Sequence, residues 1–112
     1  MIRELIQTEQ ELLDYIDLPE VEPGSLKFIF NEQKKQIDLE CIFADGKGLF
    51  CENIQQLQIN ENFSYGLIGG KCVLSIRDIS DSGMEYCHWA VEEYEEDSIR
   101  FFCETLRKVD AE

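Results

Sequence analysis

EYCHWAVEEYEEDSIRFFCETL, residues 85–106, is the stretch that decides how the chain is read. Two apolar-rich runs, Glu85–Glu92 around Trp89 and Ile99–Leu106 around Phe101, have the length and the β-branched and aromatic content of strands. Between them the chain turns acidic. Residues 85–98 carry Glu85, Glu92, Glu93, Glu95, Glu96 and Asp97 and no basic residue. The strands read as core and the tip as a contact surface.

The same imbalance marks the other end of the sequence. The 112 residues have a net charge of −14. Residues 1–22 carry Glu4, Glu9, Glu11, Asp14, Asp17, Glu20 and Glu22 against Arg3 alone. The remaining segments are close to balanced, so the excess sits in two blocks. Such a surface repels phosphate backbones and attracts basic partners, which argues against direct nucleic-acid binding.

Working outward from residues 85–106, the pattern is mostly of period two. Leu26, Phe28 and Phe30 alternate, and residues 31–35 (NEQKK) form a turn. Ile37, Leu39, Cys41 and Phe43 then alternate with Gln36, Asp38 and Glu40, which are expected to face water. Asp45-Gly46 signals another turn before a short strand at Leu49–Glu52. A broken alternation between Ile54 and Leu57 predicts a bulge or turn within Glu52–Gln56. The glycine-rich residues 60–71 (NENFSYGLIGGK) lack the spacing of a phosphate-binding loop and read as a structural loop. A buried strand Cys72–Ile79 follows, and the polar tail from Lys108 is expected to fray.

The N-terminal segment has a different period. Ile2, Leu5, Ile6, Leu12, Leu13 and Ile16 make an apolar stripe at helical spacing, predicting a helix across residues 1–17. Thr8-x-x-Glu11 before Leu12-Leu13 is a capping-box pattern and offers a later start. Pro19 ends the element. The fold class is therefore α+β: an antiparallel sheet or flattened sandwich of about seven strands over residues 25–107, with one N-terminal helix. A length of 112 residues fits one domain.

No apolar run reaches the ~20 residues needed to span a bilayer. The first residues lack the pattern of a signal peptide. Cys41, Cys51, Cys72, Cys87 and Cys103 form no CxxC pair and sit inside apolar runs, as buried thiols of a reducing compartment do. A cytoplasmic protein is expected, without metal or cofactor. His88 is the only histidine, but its neighbour Cys87 projects to the other face of a strand, so the two do not form a catalytic pair. The acids of the tip lack the walled pocket that separates two carboxyl proton affinities, and no calcium-loop pattern is present. A non-enzymatic protein is expected.

Concentrating like charges on one hairpin opposes folding, and solubility alone does not require it. Tyr86, Trp89 and Tyr94 lie among the acids. Aromatic anchors with an acidic rim are the residue types of an interface for a basic protein. The predicted partner-binding residues are Tyr86, Trp89, Glu92, Glu93, Tyr94, Glu95, Glu96 and Asp97. The net charge works against self-association and predicts a monomer.

Residues 42–59 (IFADGKGLFCENIQQLQI), 73–82 (VLSIRDISDS) and 98–107 (SIRFFCETLR) together have a hairpin pattern, with a closing I-R-F-x-C-E strand. In this the chain resembles small β-rich immunity proteins of bacterial polymorphic toxin systems. That resemblance implies an acidic, cytoplasmic, stoichiometric inhibitor of a basic toxin or nuclease, and it transfers no individual residue. A DNA mimic that blocks a nucleic-acid-binding protein, of the anti-restriction or anti-CRISPR type, is the alternative. It requires carboxylates in two extended rows, whereas an inhibitor of the first kind requires one patch.

Overall fold

Thr8 opens the only helix among the described residues. In the computed structural model, which describes residues 4–16, 20–21, 23–43, 46–59, 74–93 and 99–110, its backbone is extended and its hydroxyl accepts from the Glu11 N–H at 3.1 Å. The Glu11 carboxylate reaches back to the Gln7 N–H at 3.1 Å, so one orphan donor of the first turn and the N–H just before the cap are both satisfied. Helix α1 covers Glu9–Tyr15, and the Ile16 N–H closes it on the Leu12 carbonyl. The longer helix expected from the apolar stripe is corrected here. Leu5–Ile6 is extended (β1) and pairs with Arg107 and Leu106, so the stripe serves a strand first and a helix second.

Ten strands are present among the described residues. After β1 come β2 (Glu20–Val21), β3 (Pro23–Asn31), β4 (Gln36–Phe43), β5 (Lys47–Glu52), β6 (Gln55–Ile59), β7 (Leu74–Asp78), β8 (Trp89–Glu93), β9 (Ile99–Cys103) and β10 (Thr105–Asp110). Strands β9 and β10 are separated by Glu104 alone but belong to different sheets. The count exceeds the expected seven. The additions are the two-residue strands β1 and β2, together with β10, which takes up the tail expected to fray. Residues 60–71, read as a loop, lie outside the described residues.

All pairings are antiparallel. One sheet has the order β1-β10-β5-β4-β3 and the other β2-β7-β8-β9-β6. Each sheet is a three-strand meander, β3–β5 or β7–β9, extended by strands from elsewhere in the chain. The chain passes between sheets through very short links: β2 to β3, β5 to β6 across Asn53-Ile54, and β9 to β10 across Glu104. Bends of this kind make the corners of a sandwich. The broken alternation at Glu52–Gln56 is one of them, with Asn53 and Gln56 both at positive φ.

Between the sheets lies one core. Ile6, Leu39, Cys41, Leu49, Cys51 and Leu106 from the first sheet meet Leu74, Ile76, Trp89, Val91, Ile99, Phe101 and Cys103 from the second. Leu12 and Ile16 bring the helix into the same cluster. Each fully buried large aliphatic side chain contributes about 1.5–3 kcal/mol.

Asp38 does not face water as its alternation suggested. It is 3% exposed. Its Oδ1 accepts from the Asn53 N–H at 3.0 Å and from the Gln36 amide at 2.9 Å. The β5–β6 corner turns a backbone N–H away from both ladders, and Asp38 supplies its acceptor. Across the same corner Glu52 accepts from Arg107 Nε and from the Thr105 hydroxyl. Partial burial raises the Glu52 carboxyl, but those two bonds and the Arg107 charge more than offset it and leave it below its ordinary value.

Candidate partner-binding site

Strand register answers a question that the sequence leaves open. Glu20 of β2 lies opposite Ser75 of β7, and Ser75 lies opposite Glu92 of β8. Val21, Leu74 and Glu93 form the next row. Glu20, near the end of the acidic N-terminal block, and Glu92–Glu93 of the acidic hairpin therefore reach the same end of one sheet, whereas Glu4 lies beside Lys108 in the other sheet. Glu20 and Glu92 are two strand spacings apart, about 10 Å.

The predicted contact residues do not all gather there. Glu93 is the last described residue before the tip, and Tyr94, Glu95, Glu96 and Asp97 lie outside the described residues. Glu92 is engaged within the sheet: its Oε1 is 2.5 Å from the Arg77 guanidinium, and its side chain is half-buried. Trp89 is corrected from contact residue to core residue. It is 3% exposed and pairs on the inner face with Cys103. Tyr86 is 53% exposed at φ +62°, but it precedes β8. The length of β8, about 14 Å, separates it from Glu93. The aromatic anchor is therefore not built from Tyr86 and Trp89 at the acidic end. Glu20 joins that end instead, through a pairing between residues 20 and 75 that no local pattern signals.

Beside this end, the outer face of the second sheet holds a shallow cavity of about 130 Å³. Gln56, Gln58, Arg77, Arg100 and Phe102 line it over Ala90. It offers amide and guanidinium donors next to the acidic rows.

His88 lies at the opposite end of β8, at a second cavity of about 190 Å³ lined by Leu5, Ile6, Asp78, Ser80, Trp89 and Glu104 among others. Its Nδ1 is 3.0 Å from the Glu104 carbonyl oxygen. An Nδ1–H tautomer satisfies that contact and leaves Nε2 as the free nitrogen. Asp78 Oδ1 accepts from the Ser80 N–H at 2.9 Å and the Ser80 hydroxyl at 2.7 Å. Those two bonds hold the Asp78 carboxyl below its ordinary value, with burial opposing and the nearby His88 assisting. The Ser80 hydroxyl is spent on Asp78, so no serine–histidine pair forms.

Cys51 and Cys87 are not poised for chemistry either. Burial pushes the Cys87 thiol up. Cys51 is pushed well up, first by its hydrogen bond with Cys103 and then by burial. A nucleophilic cysteine needs the reverse shift. No group of three or more His, Cys, Asp or Glu side chains with the geometry of a metal site occurs among the described residues. No described helix is long and apolar enough to cross a membrane.

No protein-family model, no curated protein and no solved structure matches the chain.

Proposed function

We propose that this chain is a cytoplasmic, non-enzymatic inhibitor of the immunity type, which binds and occludes a basic toxin or nuclease surface with its acidic end. The observation that carries this reading is the shared register of Glu20, Ser75 and Glu92, which brings acids distant in sequence to one end of one sheet. A patch at one end favours occlusion of a single site. A DNA mimic would instead need two extended rows of carboxylates.

Carboxylates gathered in this way act mainly on encounter. Steering by a concentrated field raises association rates by roughly 10–1,000-fold at low salt. The amides and guanidinium groups of the neighbouring cavity then supply directional contacts.

The test is binding of the protein encoded by the adjacent gene, followed by stopped-flow and calorimetry. The reading expects a one-to-one complex whose association slows as salt rises. Replacing Glu20, Glu93, Glu95 and Glu96 with Gln should slow association about tenfold or more. An unchanged on-rate with an unchanged salt slope would sink the proposal.

A further inference from the structure

Among the described residues strand β3 is the open edge of its sheet, and its far half is apolar and partly exposed. Its register with β4 sets Phe28 opposite Leu39 and Phe30 opposite Ile37. Phe28 is 40% exposed, Phe30 64% and Ile37 41%. Leu39 is buried, so the stripe starts at the core and runs out beyond it. Natural sheets guard such an edge with charges or bulges. Here Lys27 and the register shift between Pro23 and Ser25 guard only the first half. Residues 28–31 (Phe-Ile-Phe-Asn) carry no charge and no proline.

The occupant of this edge must suit its charge. The β3–β4 hairpin is the balanced part of a chain at −14: Lys27, Lys34 and Lys35 offset Glu32, Asp38 and Glu40. A basic partner gains nothing there. A second copy of the chain meets no repulsion there, provided its acidic end is kept away.

We propose that β3 pairs antiparallel with β3 of a second copy, across a two-fold axis through Ile29. A two-fold normal to the sheet keeps each face on its own side, so only residues of like parity oppose one another. An axis at Ile29 sets Phe28 of each copy against Phe30 of the other, giving two aromatic cross-strand pairs. It sets Lys27 against Asn31. An axis at Lys27 would instead oppose two like charges.

The same register points the turn with the exposed Lys34 and Lys35 from Lys27 of the other copy towards the start of its β3. That start directly follows the acidic stretch Glu20–Glu22. The interface is thus isologous, with a basic turn directed towards the acidic side of each partner. Phe28 and Phe30 lie about 16–23 Å along the strand from Pro23, two or more Debye lengths at physiological salt, so repulsion between the acidic ends is screened. This inference does not rest on the inhibitor reading: the pairing is carried by aromatic cross-strand contacts at a charge-balanced edge, whereas a complex with a basic partner is carried by the acidic end.

The test is sedimentation velocity of the full chain, from low micromolar to sub-millimolar concentration at physiological salt. The weight-average mass is expected to climb from 13.1 kDa towards twice that value. Phe30→Lys should weaken association about tenfold or more while leaving the circular dichroism and melting temperature unchanged, because Phe30 is mostly exposed. Ile29→Cys should form a covalent dimer under mild oxidant, since directly opposed strand residues lie within disulfide reach. Wild type under the same oxidant should stay uncross-linked. A monomer throughout the range would overturn the proposal, as would a dimer indifferent to Phe30→Lys or an Ile29→Cys variant that stays monomeric. A monomer whose Phe30→Lys variant loses the adjacent-gene partner would assign the edge to that partner and overturn it equally.

Discussion

Replacing Tyr15 with Phe removes a single oxygen and tests how the helix is tied to the sheet. A seven-residue helix is too short to be stable alone. Leu12 and Ile16 hold it through the core, and the Tyr15 hydroxyl holds its C-terminal end. That oxygen accepts from the Gly48 N–H at 3.1 Å and donates to the Gly48 carbonyl at 2.8 Å or the Val109 carbonyl at 3.0 Å. A Cβ at Gly48 would lie 2.7 Å from Ile42 Cδ1, 3.0 Å from the Cys41 carbonyl oxygen and 3.1 Å from Val109 Cβ, so the strand packs too closely there for a side chain.

In Tyr15→Phe the ring stays, and so does its contact with the Lys47 and Lys108 ammonium groups, 5.7 and 5.4 Å from the centroid. What is lost is the partner of one strand N–H and one hydrogen bond to a carbonyl. A buried group left unsatisfied costs about 1–3 kcal/mol, and the half-buried setting places this change at about 1–2 kcal/mol. For a chain of this size that lowers the melting temperature by about 4–10 °C. Urea unfolding should show a lower midpoint with the same slope. A loss below about 0.5 kcal/mol would mean that water replaces the hydroxyl and that the tie is ornamental.

Asp38→Ala should cost about 1–3 kcal/mol in urea unfolding, because it strands the Asn53 N–H at the sheet corner; Asp38→Asn, which keeps an acceptor oxygen, should recover part of the loss. The folded Asp78 carboxyl titrates below its unfolded value of 3.8, so its stabilisation is fully present above that value and is lost as the pH falls through the folded one. The stability gap between wild type and Asp78→Asn should therefore be constant at neutral pH and close in acid; a gap that widens in acid would reverse the assignment. The described cysteines, Cys41, Cys51, Cys87 and Cys103, are buried, so thiol reagents should label them at the rate of unfolding and not before. Melting temperature should rise by a few degrees between about 0.01 M and about 0.1 M salt, as the Debye length falls from about 30 to about 10 Å; a flat response would mean that the acids are dispersed or paired.

The features legible in the sequence are those set by neighbours along the chain. The alternation of Leu39, Cys41 and Phe43 against Glu40 marked β4 and its inner face. The capping box at Thr8 marked the true helix start, although the apolar stripe was also compatible with a longer helix. Trp89 was misplaced by its acidic surroundings, yet strand parity contained the answer, since it shares a face with Val91 and not with Glu92. The remaining features depend on pairing across the chain. Lys108–Asp110 looked like a polar tail because nothing local shows that it completes a ladder with Lys47–Leu49. Asp38 looked solvated because the N–H that needs it comes from a corner fifteen residues away. The meeting of Glu20 with Glu92 passes through β7, more than fifty residues beyond β2.

Whether the acidic end exists for the fold or in spite of it can be weighed numerically. Two unit charges about 10 Å apart in water repel by about 0.4 kcal/mol, reduced to about 0.1 kcal/mol at physiological salt. Even ten such pairs amount to about 1 kcal/mol, less than one well-buried leucine contributes. The fold therefore tolerates the acidic end at physiological salt without needing it. The strain falls on β2, a two-residue strand held by only two register positions. At low salt, amide exchange should find β2 and its partner positions in β7 opening before β4 and β5, whose ladder is longer and whose inner residues are buried. Protection at Ser75 that rises with salt, with no change at Leu39 or Leu49, would place the electrostatic load at the acidic end. Equal responses at all three would show that the charge acts on the molecule as a whole.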